Sequence, residues 1–163
     1  MSVSLKIQIE NAAVLSAIKG LVDLGHNMRP IMRGIATIGE NSTRERFASE
    51  TGPDGERWPA SIRVQLSGGK TLTDSGRLGD SITSDYGSDF AEWGTNSIYG
   101  AMQNFGGVIK PKSANALRFK IAGGGFATVK SVTIPARPFL GIDADDEQDI
   151  SDFITRKIKE RLN

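Results

Sequence analysis

Ile134-Pro135-Ala136-Arg137-Pro138-Phe139-Leu140-Gly141-Ile142 sets an arginine between two prolines and follows it at once with a large aromatic. Each proline fixes its own φ near about −65°, removes a backbone donor, and drives the residue before it, here Ile134 and Arg137, toward extended geometry. Such a segment belongs neither in a helix interior nor in a central strand. It is a stiff connector that fixes Arg137 and Phe139 in space. Stiffness keeps the entropy lost on binding low, so the segment suits presentation to a partner or docking against the domain's own core.

Around it the chain reads as helices at both ends of a set of strands. Val3, Leu5, Ile7 and Ile9 alternate with polar residues, the period of a strand with one buried face. After Asn11, an N-cap residue type, Val14, Leu15, Ile18, Leu21 and Val22 recur at helical spacing up to Gly25. A second helix is predicted from about Asn27, with Pro30 in its first turn and Met28, Ile31, Met32, Ile35 and Ile38 on its apolar face. Its polar tail, Asn41 to Glu50, is expected to project. Thr51 to Thr73 has loop chemistry, including Gly52-Pro53-Asp54-Gly55. Short strands are predicted at Ser81 to Tyr86 and Phe90 to Gly94, with a brief helix over Ile98 to Phe105. Strands at Ala116 to Ala122 and Ala127 to Ile134 flank Gly123-Gly124-Gly125 as a hairpin.

A final helix starts with Asp145, Asp146, Glu147 and Asp149, carries Ile150, Phe153, Ile154, Ile158 and Leu162 as its apolar stripe, and ends among bases. That charge order favours the helix macrodipole. The fold class is therefore α+β: an N-terminal strand and two helices, a mostly antiparallel sheet with long loops, and a C-terminal helix. At 163 residues the expectation is a single domain over 1–163. Its mobile parts would be a long flexible loop at about 51–71 and a hairpin arm at about 116–134.

Twenty basic and nineteen acidic residues leave a formal charge of +1, which gives no whole-chain field for nucleic acid or anionic membrane and leaves only a local basic patch. Without cysteine there are no disulfides and no thiolate metal sites, as in cytosolic proteins. No apolar run reaches the ~20 residues that span a bilayer, and the alternation of Met1 to Glu10 is not that of a secretory leader. A soluble protein is expected.

Complete catalytic sets are missing. Gly69-Lys70-Thr71 resembles the end of a phosphate-binding loop, but that motif needs a glycine where Val64 stands. Asp143 to Asp152 is acidic enough for calcium, yet an EF-hand counted from Asp143 needs glycine at Gln148 and glutamate at Ile154. Helix-start charges explain those acids better. His26, the one histidine, sits in a predicted interhelix turn with no Gly-x-Ser-x-Gly elbow to serve. Carboxylate pairs drawn from Glu40, Glu45, Glu50, Asp54 and Glu56 keep open a runner-up reading, a small cell-wall hydrolase.

Trp58, Tyr99, Phe105 and Phe139 lie in glycine- and proline-rich segments, accompanied by Arg57, Arg77 and Arg137. Aromatics with arginine are enriched at interface centres, and the same residues could equally plug a local core. A third reading, a single-stranded nucleic-acid binder, would need a basic groove around them.

Four segments taken in order carry a family resemblance. They are Phe47 to Pro59 (Phe-Ala-Ser-Glu-Thr-Gly-Pro-Asp-Gly-Glu-Arg-Trp-Pro), Leu72 to Leu78 (Leu-Thr-Asp-Ser-Gly-Arg-Leu), Gly94 to Gly107 (Gly-Thr-Asn-Ser-Ile-Tyr-Gly-Ala-Met-Gln-Asn-Phe-Gly-Gly) and Ile134 to Gly141. Together they resemble the phage virion morphogenesis family, the tail-completion proteins of Mu-like and P2-like phages and prophages. The likeness extends from about Ile35 to the C-terminus, and Met1 to Leu24 is less clearly part of it. It implies a non-enzymatic structural protein, assembled in the host bacterial cytoplasm into the virion, that completes the tail or joins it to the head.

No catalytic, cofactor or metal residue is carried over by that resemblance. The partners it implies are further copies of this chain, as a homo-oligomeric ring for which six-fold symmetry is one option, together with tail, neck or head-tail connector proteins. Neither a membrane nor a specific nucleic acid is among them. Candidate interface residues are Trp58, Arg77, Tyr99, Phe105, Arg137 and Phe139, with Arg137 and Phe139 either anchoring the last helix or facing a neighbouring subunit.

Overall fold

A computed structural model describes residues 12–121 and 124–162; the strand expected over Val3 to Ile9 lies outside them. The elements run α1 (Ala12–His26), α2 (Arg29–Ser49), α3 (Ile62–Ser67), α4 (Arg77–Asp80), β1 (Ile82–Tyr86), β2 (Ala91–Thr95), α5 (Gly100–Phe105), β3 (Gly107–Ile109), β4 (Leu117–Lys120), β5 (Phe126–Val129), β6 (Val132–Ile134) and α6 (Ala144–Leu162). The α+β class holds. Among the described residues all strand pairs are antiparallel, and instead of one sheet they form three two-stranded ribbons, β1–β2, β3–β6 and β4–β5.

Helix α2 is the hub, packing on α6 and across the β1–β2 ribbon. Two interior glycines make that approach close. A side chain at Gly34 would overlap the Phe153 ring of α6, and one at Gly39 would overlap the Trp93 indole of β2. Each glycine costs about 1 kcal/mol of helix propensity relative to alanine, and that cost is offset by large aromatics seated directly on the backbone.

Three sequence expectations are corrected. The tail of α2 does not project: Thr43, Arg46 and Phe47 are buried. The presumed strand from Ala127 to Ile134 is two strands, because β5 pairs back on β4 (Phe119 opposite Ala127) whereas β6 pairs with β3 (Ile109 opposite Val132). A chain that changes partners must break between them, at Lys130-Ser131. The loop after α2 contains α3, whose N-cap Ser61 accepts a hydrogen bond from the Val64 N–H.

Phe47, Trp58, Leu78, Ile82 and Phe139 form the apolar core, with Leu72 and Leu140 packed against it. Phe47 lies at its centre, 5.5 Å from Trp58 in an edge-on arrangement and 5.2 Å from Phe139. Each of the first, second and fourth resemblance segments contributes to this core.

Candidate functional site

After Ile134, the last residue of β6, the proline-bracketed segment leaves the sheet, so its backbone groups need other partners. They find them on every side. Asn104 of α5 accepts from the N–H groups of both Phe139 and Leu140 through one Oδ1, at 3.0 Å each. The Trp58 indole N–H donates to the Pro138 carbonyl at 2.8 Å. Arg137 donates from Nε to the Pro59 carbonyl at 2.7 Å, and its own N–H reaches the Gln103 carbonyl at 2.9 Å. Burial pushes the Arg137 guanidinium down from its ordinary value.

Arg46 completes this clasp from the α2 side. Its Nη1 donates to the carbonyls of Phe139 and Gly141, and its Nη2 to Asp143 at 2.8 Å and Asp146 at 2.5 Å. The two aspartates also cap α6 reciprocally: Asp143 Oδ1 accepts from the Asp146 N–H, and Asp146 Oδ2 from the Asp143 N–H. Hydrogen bonding to Arg46, then to the Asp146 N–H, holds the Asp143 carboxyl below the usual carboxylate range. The acids that invited a calcium reading are thus the cap of α6 and the counter-charge of a buried arginine.

A smaller clasp closes the α2 C-terminus. Lys70 Nζ donates to the Ala48 carbonyl at 2.7 Å, and Glu50 accepts from the Thr71 N–H at 2.5 Å, the contact that most lowers its pKa. This is what the phosphate-loop fragment does. Glu40 is held low by Ser84 Oγ, whose hydroxyl donates to it, and by Arg44. A general acid needs a raised carboxyl, which neither Glu40 nor Glu50 is. His26 ends α1 exposed, and among the described residues no group of three or more His, Asp or Glu is placed to hold a metal ion.

The six candidate interface residues divide. Trp58, Arg137 and Phe139 are buried within the chain, with Phe139 fully enclosed. Arg77, Tyr99 and Phe105 reach the surface, Phe105 being 76% exposed. Arg77, Tyr99 and Arg137 line one cleft of about 530 Å³ together with Ile62, Leu72 and Phe119; Phe105 stands outside it. Sequence reasoning missed Arg46 and Asn104, and it read Asp146 as a helix-start acid without its pairing to Arg46. Asn104 had a signal, because two consecutive N–H groups after Pro138 need an acceptor. Arg46 had none.

Charge is segregated along the chain. Residues 93–142 contain six Lys or Arg and no Asp or Glu, whereas the remaining fourteen bases face nineteen acids. Arg137 apart, these cations (Lys110, Lys112, Arg118, Lys120 and Lys130) are exposed, and none is paired with a carboxylate among the described residues. Apolar exposure follows the same division: eight of the fifteen exposed large apolar side chains among the described residues fall between Ile98 and Phe126. Surface of this kind, apolar and of one charge sign, is suited to macromolecular contact.

The profile of the phage virion morphogenesis family matches residues 9–159. This chain belongs to that family. Its place is in the making of a phage virion, and the match takes in α1, so the family unit starts well before Ile35. Among curated relatives, the Mu-like prophage FluMu G protein 2 of Haemophilus influenzae is 34% identical over 92% of this chain and 93% of its own length. The putative capsid assembly protein G of Escherichia phage Mu is 29% identical over 99% of both chains. No solved structure matches. Of the family-like segments, the first, third and fourth meet in the clasp around residues 134–146, and the second packs beside it through Leu72 and Leu78. What was legible as a family signature is mostly the internal bracing of the fold.

Proposed function

We propose that this virion morphogenesis protein is a non-enzymatic subunit of a homo-oligomeric ring that completes the tail or joins it to the head. The supporting observation is the concentration of exposed apolar side chains in the stretch from Ile98 to Phe126, which includes Ile98 at 99%, Phe105 at 76% and Phe126 at 62% exposure. Closed rings use heterologous contacts, in which one face of a subunit fits a different face of the next. Exposed apolar and cationic side chains concentrated on α5 and the stretches that follow it, with every acid elsewhere in the chain, supply two chemically different kinds of surface for such a contact. The relative from phage Mu carries a capsid-assembly name, which fits a part acting where head and tail meet.

Deleting the gene from its phage or prophage should leave heads and tails that electron microscopy shows unjoined, with infectivity restored by supplying the protein in trans. Normal numbers of joined, infectious particles from the deletion would overturn the reading. Ring formation has its own measurement: the purified protein should give a discrete multiple of the 17.5 kDa chain by mass photometry.

A further inference from the structure

The β4–β5 hairpin makes its principal contacts within itself, and its register sorts its side chains cleanly. Leu117 lies opposite Val129 and Phe119 opposite Ala127, so one face is apolar; Arg118 opposite Thr128 and Lys120 opposite Phe126 make the other face cationic and aromatic. Arg118 stacks over the Phe126 ring at 4.7 Å from its centroid, which holds the guanidinium on that face. Lys110 and Lys112, just after β3, and Lys130, just after β5, extend the positive charge.

Elsewhere the chain has the complementary surface. A cleft of about 550 Å³ between the second half of α2, the turn at 51–55 and the start of α6 is lined by Glu45, Asp145 and Asp149, besides the Asp143 and Asp146 already held by Arg46. Glu147 on α6, and Asp54 and Glu56 flanking the cleft residue Gly55, are exposed as well. None of Glu45, Asp54, Glu56, Asp145, Glu147 and Asp149 forms an ion pair among the described residues. Two unpaired patches of opposite sign, on different elements of one chain, are what a head-to-tail contact between identical subunits requires.

We infer that the cationic face of the β4–β5 hairpin of one copy docks on the acidic cleft between α2 and α6 of the next. This contact rests on the ring reading and specifies its two faces. Steering by five cations makes the encounter fast and salt-sensitive, since charges beyond about 8 Å are screened at physiological ionic strength. Nucleic acid is the other anion that such a hairpin could meet; the matching acidic surface on the same chain favours the second copy.

Two charge reversals test it in the full chain: Arg118→Glu with Lys120→Glu on the hairpin, and Asp145→Lys with Asp149→Lys on the cleft, each checked by circular dichroism for an unchanged fold. By mass photometry at low salt, wild type should assemble and each variant alone should stay monomeric. An equimolar mixture should assemble again, because reversed hairpin meets reversed cleft and native hairpin meets native cleft. If wild type assembles and the reversals leave its size unchanged, or the mixture stays monomeric, this contact is overturned while the ring stands. A wild type that stays monomeric at every salt and concentration overturns both. Hairpin reversal that abolishes binding to a 30-base-pair duplex but leaves assembly intact would assign the face to nucleic acid instead.

Discussion

The clasp around residues 134–146 and the ribbon surface between Ile98 and Phe126 are built on opposite terms. In the clasp, a buried arginine, an asparagine and an indole N–H are matched to backbone carbonyls, backbone N–H groups and two aspartates within the chain. On the ribbons, phenylalanines and cations are left facing outward. The difference is one of satisfaction: the first region matches its polar groups within the chain, and the second leaves apolar and cationic side chains exposed, the surface that the proposed ring would use. Residues conspicuous in sequence can belong to either.

The largest expected effect lies in the clasp. Arg46→Ala strands the buried Asp146 carboxylate and two carbonyls, and should cost about 3–5 kcal/mol by chemical denaturation, as breaking a buried ion pair does. A variant within 1 kcal/mol of wild type would mean that the clasp holds nothing. Next comes a contrast of two phenylalanines. Phe139→Ala, in the core, should cost about 3–5 kcal/mol, whereas Phe105→Ala should stay within about 0.5 kcal/mol in stability while weakening assembly. Equal losses of stability would erase the division between the two regions.

A smaller effect concerns acid. The Asp143 carboxyl is depressed when folded, so its contribution to stability is full above its unfolded value, near 3.8, and is lost as pH falls through the lower folded value. Asp143→Asn should therefore be less stable than wild type at neutral pH, with a melting temperature that falls less steeply below about pH 4. Parallel melting curves for the two proteins would remove Asp143 from the clasp's electrostatics. Smallest is Thr43→Val. The Thr43 hydroxyl is buried and finds no hydrogen-bond partner among the described residues, so replacing it with a methyl should be neutral or stabilising by about 1 kcal/mol. Marked destabilisation would show a partner for that hydroxyl.

Much of the local structure was legible. The acid-first, base-last order placed α6 within one residue of its start, and Pro135 to Phe139 lie outside helix and strand, as the two prolines require. Element existence depends on residues within about four positions, and that information is in the text of the sequence. Burial of the α2 tail was not legible, because Asn41 to Glu50 is polar by any local measure and Arg46 is buried where its Nη1 and Nη2 meet acceptors 93 to 100 residues away. The strand at 127–134 was misjudged for a related reason: nothing local says that β5 and β6 pair with different neighbours.

By itself, then, the sequence determined the α+β class, the order of most described elements, the stiff connector that holds Arg137 and Phe139, and the family. Tertiary structure decided which conspicuous residues are interior. Trp58, Arg137 and Phe139 went inward because the proline segment's backbone had to be satisfied and its phenylalanine buried; Arg77, Tyr99 and Phe105 stayed at the surface. Periodicity and turn chemistry act along the chain, whereas burial and charge pairing are settled between segments far apart in it.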